Sequence, residues 1–204
     1  RRGRSEIGGA EIARVAPGRA PLRPRLSVFH PDPENLDRTQ LGDLAVSPWV
    51  TPWRGGQLNF VIRRYEPADC EDVLSVWSSA SALAHPFLSS EFLAMERHNI
   101  PNLYLPIAET WVWQTDGHVV GFVSLLGSEI GAIFVDPRLH RSGIGRALIN
   151  LAQDLRGELE VEVFERNLPG RAFYASLGFH LVSRKVHDQT GFSVLRLRLR
   201  PGST

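Results

Sequence analysis

Two hydrophobic periods organise residues 59–204, whereas residues 1–58 sustain neither. Phe60, Val61 and Ile62 ahead of two arginines predict a short strand. Glu66-Pro67-Ala68-Asp69 then opens a helix, with Val73, Leu74 and Trp77 on one face, that runs to about Ala82. His85-Pro86-Phe87 breaks it, and Ser89-Ser90-Glu91 starts a second short helix through Met95. Strands around 110–113 and 119–123 are joined through Asp116-Gly117, a dipeptide that accepts the positive φ of a tight hairpin turn. A third strand covers 129–135. After it Ile144, Ala147, Leu148, Leu151, Ala152 and Leu155 fall on one face of a helix starting near Gly143.

Leu159, Val161 and Val163 alternate with Glu158, Glu160 and Glu162, which predicts a strand with one solvent-facing side. The intervening helix makes this strand parallel to the one ending at Val135. A helix over about 169–177 stops at Gly178, and strands near 179–185 and 192–198 follow. In the last strand Val194, Leu195, Leu197 and Leu199 contrast with Arg196, Arg198 and Arg200, so its exposed side is expected to be basic. These elements make an α/β (α+β) unit.

Charge changes this picture mainly at the front. Residues 1–58 hold nine Arg against six acids, and 59–204 hold fourteen basic residues against sixteen acids, within a 204-residue chain of net charge +1. Pro17, Pro21, Pro24, Pro31, Pro33, Pro48 and Pro52 also fall in the front segment. Residues 1–58 are therefore expected to be an irregular extension, a linker in preference to a basic recruiting arm. The near-neutral total, and the lack of interleaved aromatics in that segment, argue against nucleic-acid binding. No apolar run approaches the roughly 18 residues of a membrane span, and the single Cys70 has no partner, so a cytoplasmic protein is expected. The histidines have no metal-ligand spacing, so no metal is expected.

The chemistry lies in Val135-Asp136-Pro137-Arg138-Leu139-His140-Arg141-Ser142-Gly143-Ile144-Gly145-Arg146-Ala147-Leu148, between a strand and a helix. Gly143 and Gly145 let backbone N–H groups approach an anion, the helix N-terminus adds about half a positive charge, and Arg138, Arg141 and Arg146 add whole ones. A diphosphate ligand is implied. A P-loop lysine is absent, since Lys185 is the only lysine, and Leu148 stands where a dinucleotide fingerprint needs Gly or Ala.

This loop, together with Asn167-Leu168-Pro169-Gly170-Arg171-Ala172-Phe173-Tyr174-Ala175-Ser176-Leu177-Gly178-Phe179, resembles the coenzyme A signature of the GNAT acetyltransferases over about residues 60–199. Trp111-Val112-Trp113, Gly121-Phe122-Val123-Ser124 and His85-Pro86-Phe87 are further similar to small bacterial stand-alone members assigned to protein-lysine acetylation. The resemblance implies a domain at 59–204 with a mixed, mostly antiparallel sheet of about six to seven strands flanked by helices. A splayed parallel pair in that sheet forms the acyl-CoA cleft. One departure stands out: three residues before Gly143 the family has Gln or Arg, and this chain has His140.

The resemblance further implies acetyl-CoA as co-substrate, its pyrophosphate against the N–H groups of Arg141, Ser142, Gly143, Ile144, Gly145, Arg146 and Ala147. A backbone N–H at Phe134 or Val135 polarises the thioester, and Asn167 bonds the pantetheine arm or caps its helix. An amine, from a protein lysine, an amino terminus or a small molecule, attacks directly. Tyr174 corresponds to the proton donor for the departing thiolate. Glu129 and then His85 are the candidate bases, and Cys70 is a packed residue. Trp111, Trp113, Tyr104 and Phe87 are candidates for an aromatic wall around the acceptor. A non-catalytic acyl-CoA sensor on the same fold is the alternative, and the sequence sets no oligomeric state, monomer or homodimer.

Overall fold

The computed structural model describes residues 60–202, and the expectations for 1–58 lie outside them. Seven strands form one sheet: β1 (Phe60–Arg64), β2 (Glu109–Thr115), β3 (His118–Leu126), β4 (Glu129–Val135), β5 (Leu159–Phe164), β6 (His180–Val186) and β7 (Ser193–Leu199). Their spatial order is β1-β2-β3-β4-β5-β7-β6, and every neighbouring pair is antiparallel except β4 with β5. The mixed, mostly antiparallel sheet flanked by helices is the architecture the sequence implies.

Four helices cover the sheet: α1 (Cys70–Ala84), α2 (Ser90–Asn99), α3 (Ile144–Arg156) and α4 (Leu168–Ser176). On one face Val73, Leu74 and Trp77 of α1 pack against Val112, Val119, Phe122 and Ala132. On the other, Leu148, Ile149 and Ala152 of α3 and Tyr174 of α4 pack against Val123, Ile130, Val161 and Val163. The β2–β3 turn has Asp116 at φ 51 and Gly117 at φ 84, the two positive values that this dipeptide tolerates.

Two local expectations are corrected. The second helix does not stop near Met95: α2 reaches Asn99 and continues as a π-turn over Ile100–Tyr104. Arg97 holds it there, donating to the Leu74 carbonyl at 3.0 Å and the Ser78 hydroxyl at 2.7 Å on α1, while Ile100 and Tyr104 are buried beyond it. The second correction concerns charge. The acidic side of β5 is not a solvent-facing one and the basic side of β7 is not free. The strands pair so that Glu160 lies opposite Arg198 and Glu162 opposite Arg196. Arg196 reaches Glu160 at 2.6 Å, Glu129 at 3.0 Å and Glu162 at 3.3 Å, and Lys185 reaches Glu162 at 2.6 Å. Complementary charge covers what each strand by itself would leave to water.

Candidate active site

The sheet itself opens the site. Parallel pairing of β4 with β5 is confined to Glu129↔Glu160 and Ile130↔Val161, and a bulge in β4 follows where register with β3 shifts between Ser124 and Leu125. Beyond that point the two strands run without pairing. Asp136 donates its N–H to the Val120 carbonyl at 2.8 Å, so by antiparallel alternation Phe134 also directs its backbone groups at β3. Ile133 and Val135 direct theirs into the gap. Of the two positions expected to meet a thioester, Val135 therefore presents its N–H to the gap and Phe134 does not. The Val135 carbonyl already has a partner there, the His140 Nε2 at 3.1 Å.

At the open end of the gap lies the loop into α3. Gly143 is the N-cap at φ 91, a conformation that penalises any side chain, and it provides no side-chain cap. Arg141 also has positive φ, 64°. Ile144, Gly145 and Arg146 occupy the first turn, where N–H groups have no intrahelical acceptor. Ser142 and Ala147 differ, because their N–H groups bond Leu139 O at 3.4 Å and Gly143 O at 3.0 Å. Arg138 is paired with Asp136 at 2.6 Å, while Arg141 and Arg146 form no ion pair among the described residues. Among the described residues, the donors left without a partner at this helix start are the amides of 143–146 and the Arg141 and Arg146 guanidinium groups. Gly145 has a second reason to be glycine: an added Cβ would stand 3.1 Å from the Phe173 ring on α4.

Asn167 caps α4, its Oδ1 accepting from the Gly170 N–H at 2.9 Å. Its Nδ2 lies 3.2 Å from His85 Nε2, a bond spanning 82 residues that ties the end of α1 to the start of α4. His85 is 4% exposed and packed edge-on against Phe87, Phe134 and Phe164. Burial holds its pKa down to about 4, so the ring is neutral near pH 7. Tyr174 is on the opposite face, against Phe173 and Phe179. Burial pushes its phenol above the usual 10, which keeps it protonated.

Glu129, the first residue of β4, sits at the closed end of the gap, bound to Arg196. Burial, the largest influence, raises its carboxyl above the usual range although Arg196 opposes this. The three expected catalytic residues are thus set apart: no hydrogen bond or ion pair joins Tyr174, Glu129 and His85. Trp111 and Trp113 are removed from the site, Trp113 stacked on Phe60 and Trp111 under the Arg64 guanidinium. Phe87 packs with Phe164 and Phe192, and Cys70 borders the α1 core.

A cavity of about 30 Å³ lies between α1, α2 and β4. Tyr104 and His85 line it, as do Gly131, Ala132 and Phe134 of the open strand. So does Glu96, which the sequence reading did not single out. Glu96 is 1% exposed, its Oε1 accepts from the Tyr104 hydroxyl at 3.4 Å, and its Oε2 has no partner. A buried acceptor left this way costs about 1–3 kcal/mol, which makes the atom conspicuous. Burial raises the carboxyl to about 7 against the lowering effect of Asn99 and Tyr104. One sequence signal existed: Phe92, Leu93, Glu96 and Ile100 share a helical face, so the acid interrupts an apolar stripe.

A splayed parallel pair beside an uncapped, arginine-flanked helix start is an arrangement suited to an acyl-CoA-dependent transferase. Residues 106–181 match the acetyltransferase (GNAT) domain model. The chain is 34% identical over 131 residues to the peptidyl-lysine N-acetyltransferase YiaC of Escherichia coli K12, covering 64% of this chain and 90% of that protein. The chain belongs to the GNAT acetyltransferase family, and is an acetyl-CoA-dependent N-acetyltransferase. The solution structure of apo YjaB from Escherichia coli superposes with a TM-score of 0.64 at 29% identity, covering 71% of this chain and 99% of that one. The fold is also shared, at 17% identity and a TM-score of 0.53, by the PaiA N-acetyltransferase of Thermoplasma acidophilum in complex with coenzyme A, over 70% and 99% of the two chains. Among the described residues no helix is long and apolar enough to cross a membrane.

Proposed function

We propose that this chain acetylates lysine side chains of proteins, with acetyl-CoA lying along the open half of β4. The relatives named as peptidyl-lysine acetyltransferases support the acceptor class. The observation that carries the reading is the gap itself, because β4 turns the Ile133 and Val135 backbone groups toward it and ends at the uncapped start of α3. Acetyl-CoA supplies an activated acetyl thioester, and the chain supplies placement and proton handling.

In this reading the amides of Gly143, Ile144, Gly145 and Arg146, with the Arg141 and Arg146 guanidinium groups, hold the pyrophosphate. Val135 N–H hydrogen-bonds the thioester carbonyl, where negative charge develops. His140 must release the Val135 carbonyl, which then receives an N–H of the pantetheine arm. Tyr174, kept protonated by burial, protonates the leaving thiolate. Asn167 fixes the α4 cap and the neutral His85 together. Glu129 serves as a positioning residue through Arg196, since that guanidinium occupies one of its oxygens. Residues 59–204 form the catalytic domain and 1–58 an appendage.

Calorimetric titration with acetyl-CoA, with NAD and ATP as controls, tests the donor. A lysine peptide blocked at its amino terminus, assayed for thiol release beside its lysine-free counterpart, tests the acceptor. Micromolar acetyl-CoA affinity and lysine-dependent release are expected. Binding without release from the lysine peptide would overturn the acceptor assignment.

A further inference from the structure

Two buried oxygens that have no hydrogen-bond partner among the described residues are carried by residues that line one cavity. Glu96 Oε2 comes from α2 and Ser81 Oγ from α1, and their residues are 1% and 2% exposed. Both residues line the space bounded on its far side by Gly131 and Ala132, the β4 positions at which pairing with β5 has just ended. An ammonium group matches this arrangement in kind, being three donors and no acceptor. It also matches in size. A cavity of about 30 Å³ admits a water-sized group, the size of an –NH₃⁺ tip. Apolar side chains, among them Trp77, Leu93 and Phe122, make up most of the rest of the lining, beside Ser124, His85 and Tyr104.

Among the described residues, three titratable groups line the cavity: Glu96, His85 and Tyr104. Glu96 is its single carboxyl. His85 has its Nε2 beside Asn167, and Tyr104 donates to Glu96. Glu129, the half-buried acid at the start of β4, is outside this lining: its Oε2 is bound to Arg196 and its Oε1 has no partner among the described residues.

Building on the proposed function, we infer that this cavity receives the ammonium tip of the acceptor lysine, held by Glu96 Oε2 and Ser81 Oγ, and that Glu96 is the base that takes its proton. The Glu96 carboxylate removes one proton from the ammonium, and the neutral amine attacks the thioester carbonyl carbon. The C–N bond forms and the C–S bond breaks. The nitrogen's second surplus proton offsets the one that the thiolate receives, and Glu96 returns its own to solvent. Burial raises the Glu96 carboxyl to about 7, so both of its forms are populated near neutrality, as a proton acceptor requires.

The test uses the full chain, saturating acetyl-CoA and Nα-acetyl-lysine amide as acceptor, with thiol release recorded from pH 5.5 to 9. Glu96→Gln is expected to lower kcat/KM by about 100-fold and to remove its fall below pH 7, with acetyl-CoA affinity within about twofold of the parent. Ser81→Ala, an independent small change, is expected to raise the acceptor KM by about 5-fold with kcat retained. A parent chain that transfers acetyl to no amine would defeat the proposed function itself. A parent chain that is active, with Glu96→Gln and Ser81→Ala both within threefold of it and the acid limb intact, would overturn the Glu96 assignment alone.

Discussion

The proposed coenzyme side and the proposed acceptor side of this site are built on opposite principles. The coenzyme side is one stretch of chain, from Val135 to Arg146, and acts mainly through backbone: Gly143 at φ 91, first-turn amides and the groups that β4 turns into the gap. The acceptor side is a cavity walled by α1, α2, β3 and β4, and acts through side chains that are far apart in sequence. Ser81, Glu96 and Gly131 meet only because α1 and α2 lie over the opened strand. Recognition by backbone tolerates neutral changes in the side chains that carry it, whereas recognition by buried side chains fails when one of them is altered.

The largest effect should come from reversing charge on the coenzyme side. Arg141→Glu with Arg146→Glu is expected to weaken acetyl-CoA binding at least 100-fold in calorimetry, because both unpaired guanidinium groups beside the helix start become anions. If affinity changes by less than tenfold, the backbone alone carries the phosphate and the contrast sharpens further.

Next is the ladder that closes the gap. Arg196→Met leaves Glu129, Glu160 and Glu162 without their shared cation, and a loss of about 3 kcal/mol in urea unfolding is expected. An unchanged midpoint would mean that Lys185 and Arg198 suffice.

Tyr174→Phe separates chemistry from binding. A fall of about 10- to 30-fold in kcat, with the acetyl-CoA Kd within twofold, is expected of a thiolate's proton donor. An unaltered kcat would reduce Tyr174 to a packed aromatic residue.

A smaller effect concerns stability against pH on the acceptor side. The folded Glu96 carboxyl, near 7, retains a proton that the unfolded chain loses from about 4.5, so its burial becomes more costly as pH rises through that window. Glu96→Gln should remove this cost, gaining about 2 kcal/mol over the parent between pH 5 and pH 8. His85 sets the opposite slope, with stability falling in both proteins as pH drops from 6.5 toward 4. Equal pH profiles for the two would show that Glu96 ionises freely in the fold. Least of all, removing residues 1–58 should shift neither acetyl-CoA affinity beyond twofold nor the thermal midpoint beyond about 3 °C.

The sequence made most of the architecture legible. The Asp116-Gly117 turn, β4 at 129–135, the Gly143 start of α3 and the Gly178 stop after α4 were all readable, since each rests on a local period or a local φ. The acidic face of β5 and the basic face of β7 were read with equal clarity and interpreted wrongly, as two wet surfaces. Pairing across the strands turned them into one covered network. Glu96 was lost for a similar reason. Ending the second helix at Met95 removed the stripe that would have shown an acid on an apolar face, and that helix is extended by anchors on α1.

By itself, then, the chain determined its periods, its turns and a glycine- and arginine-rich loop at a helix start, because those depend on residues within a few positions of one another. The tertiary structure alone decided which buried polar groups meet. Arg196 reaches Glu129 across 67 residues and Asn167 reaches His85 across 82, and no local preference encodes a partner that only the packing of the sheet brings within reach.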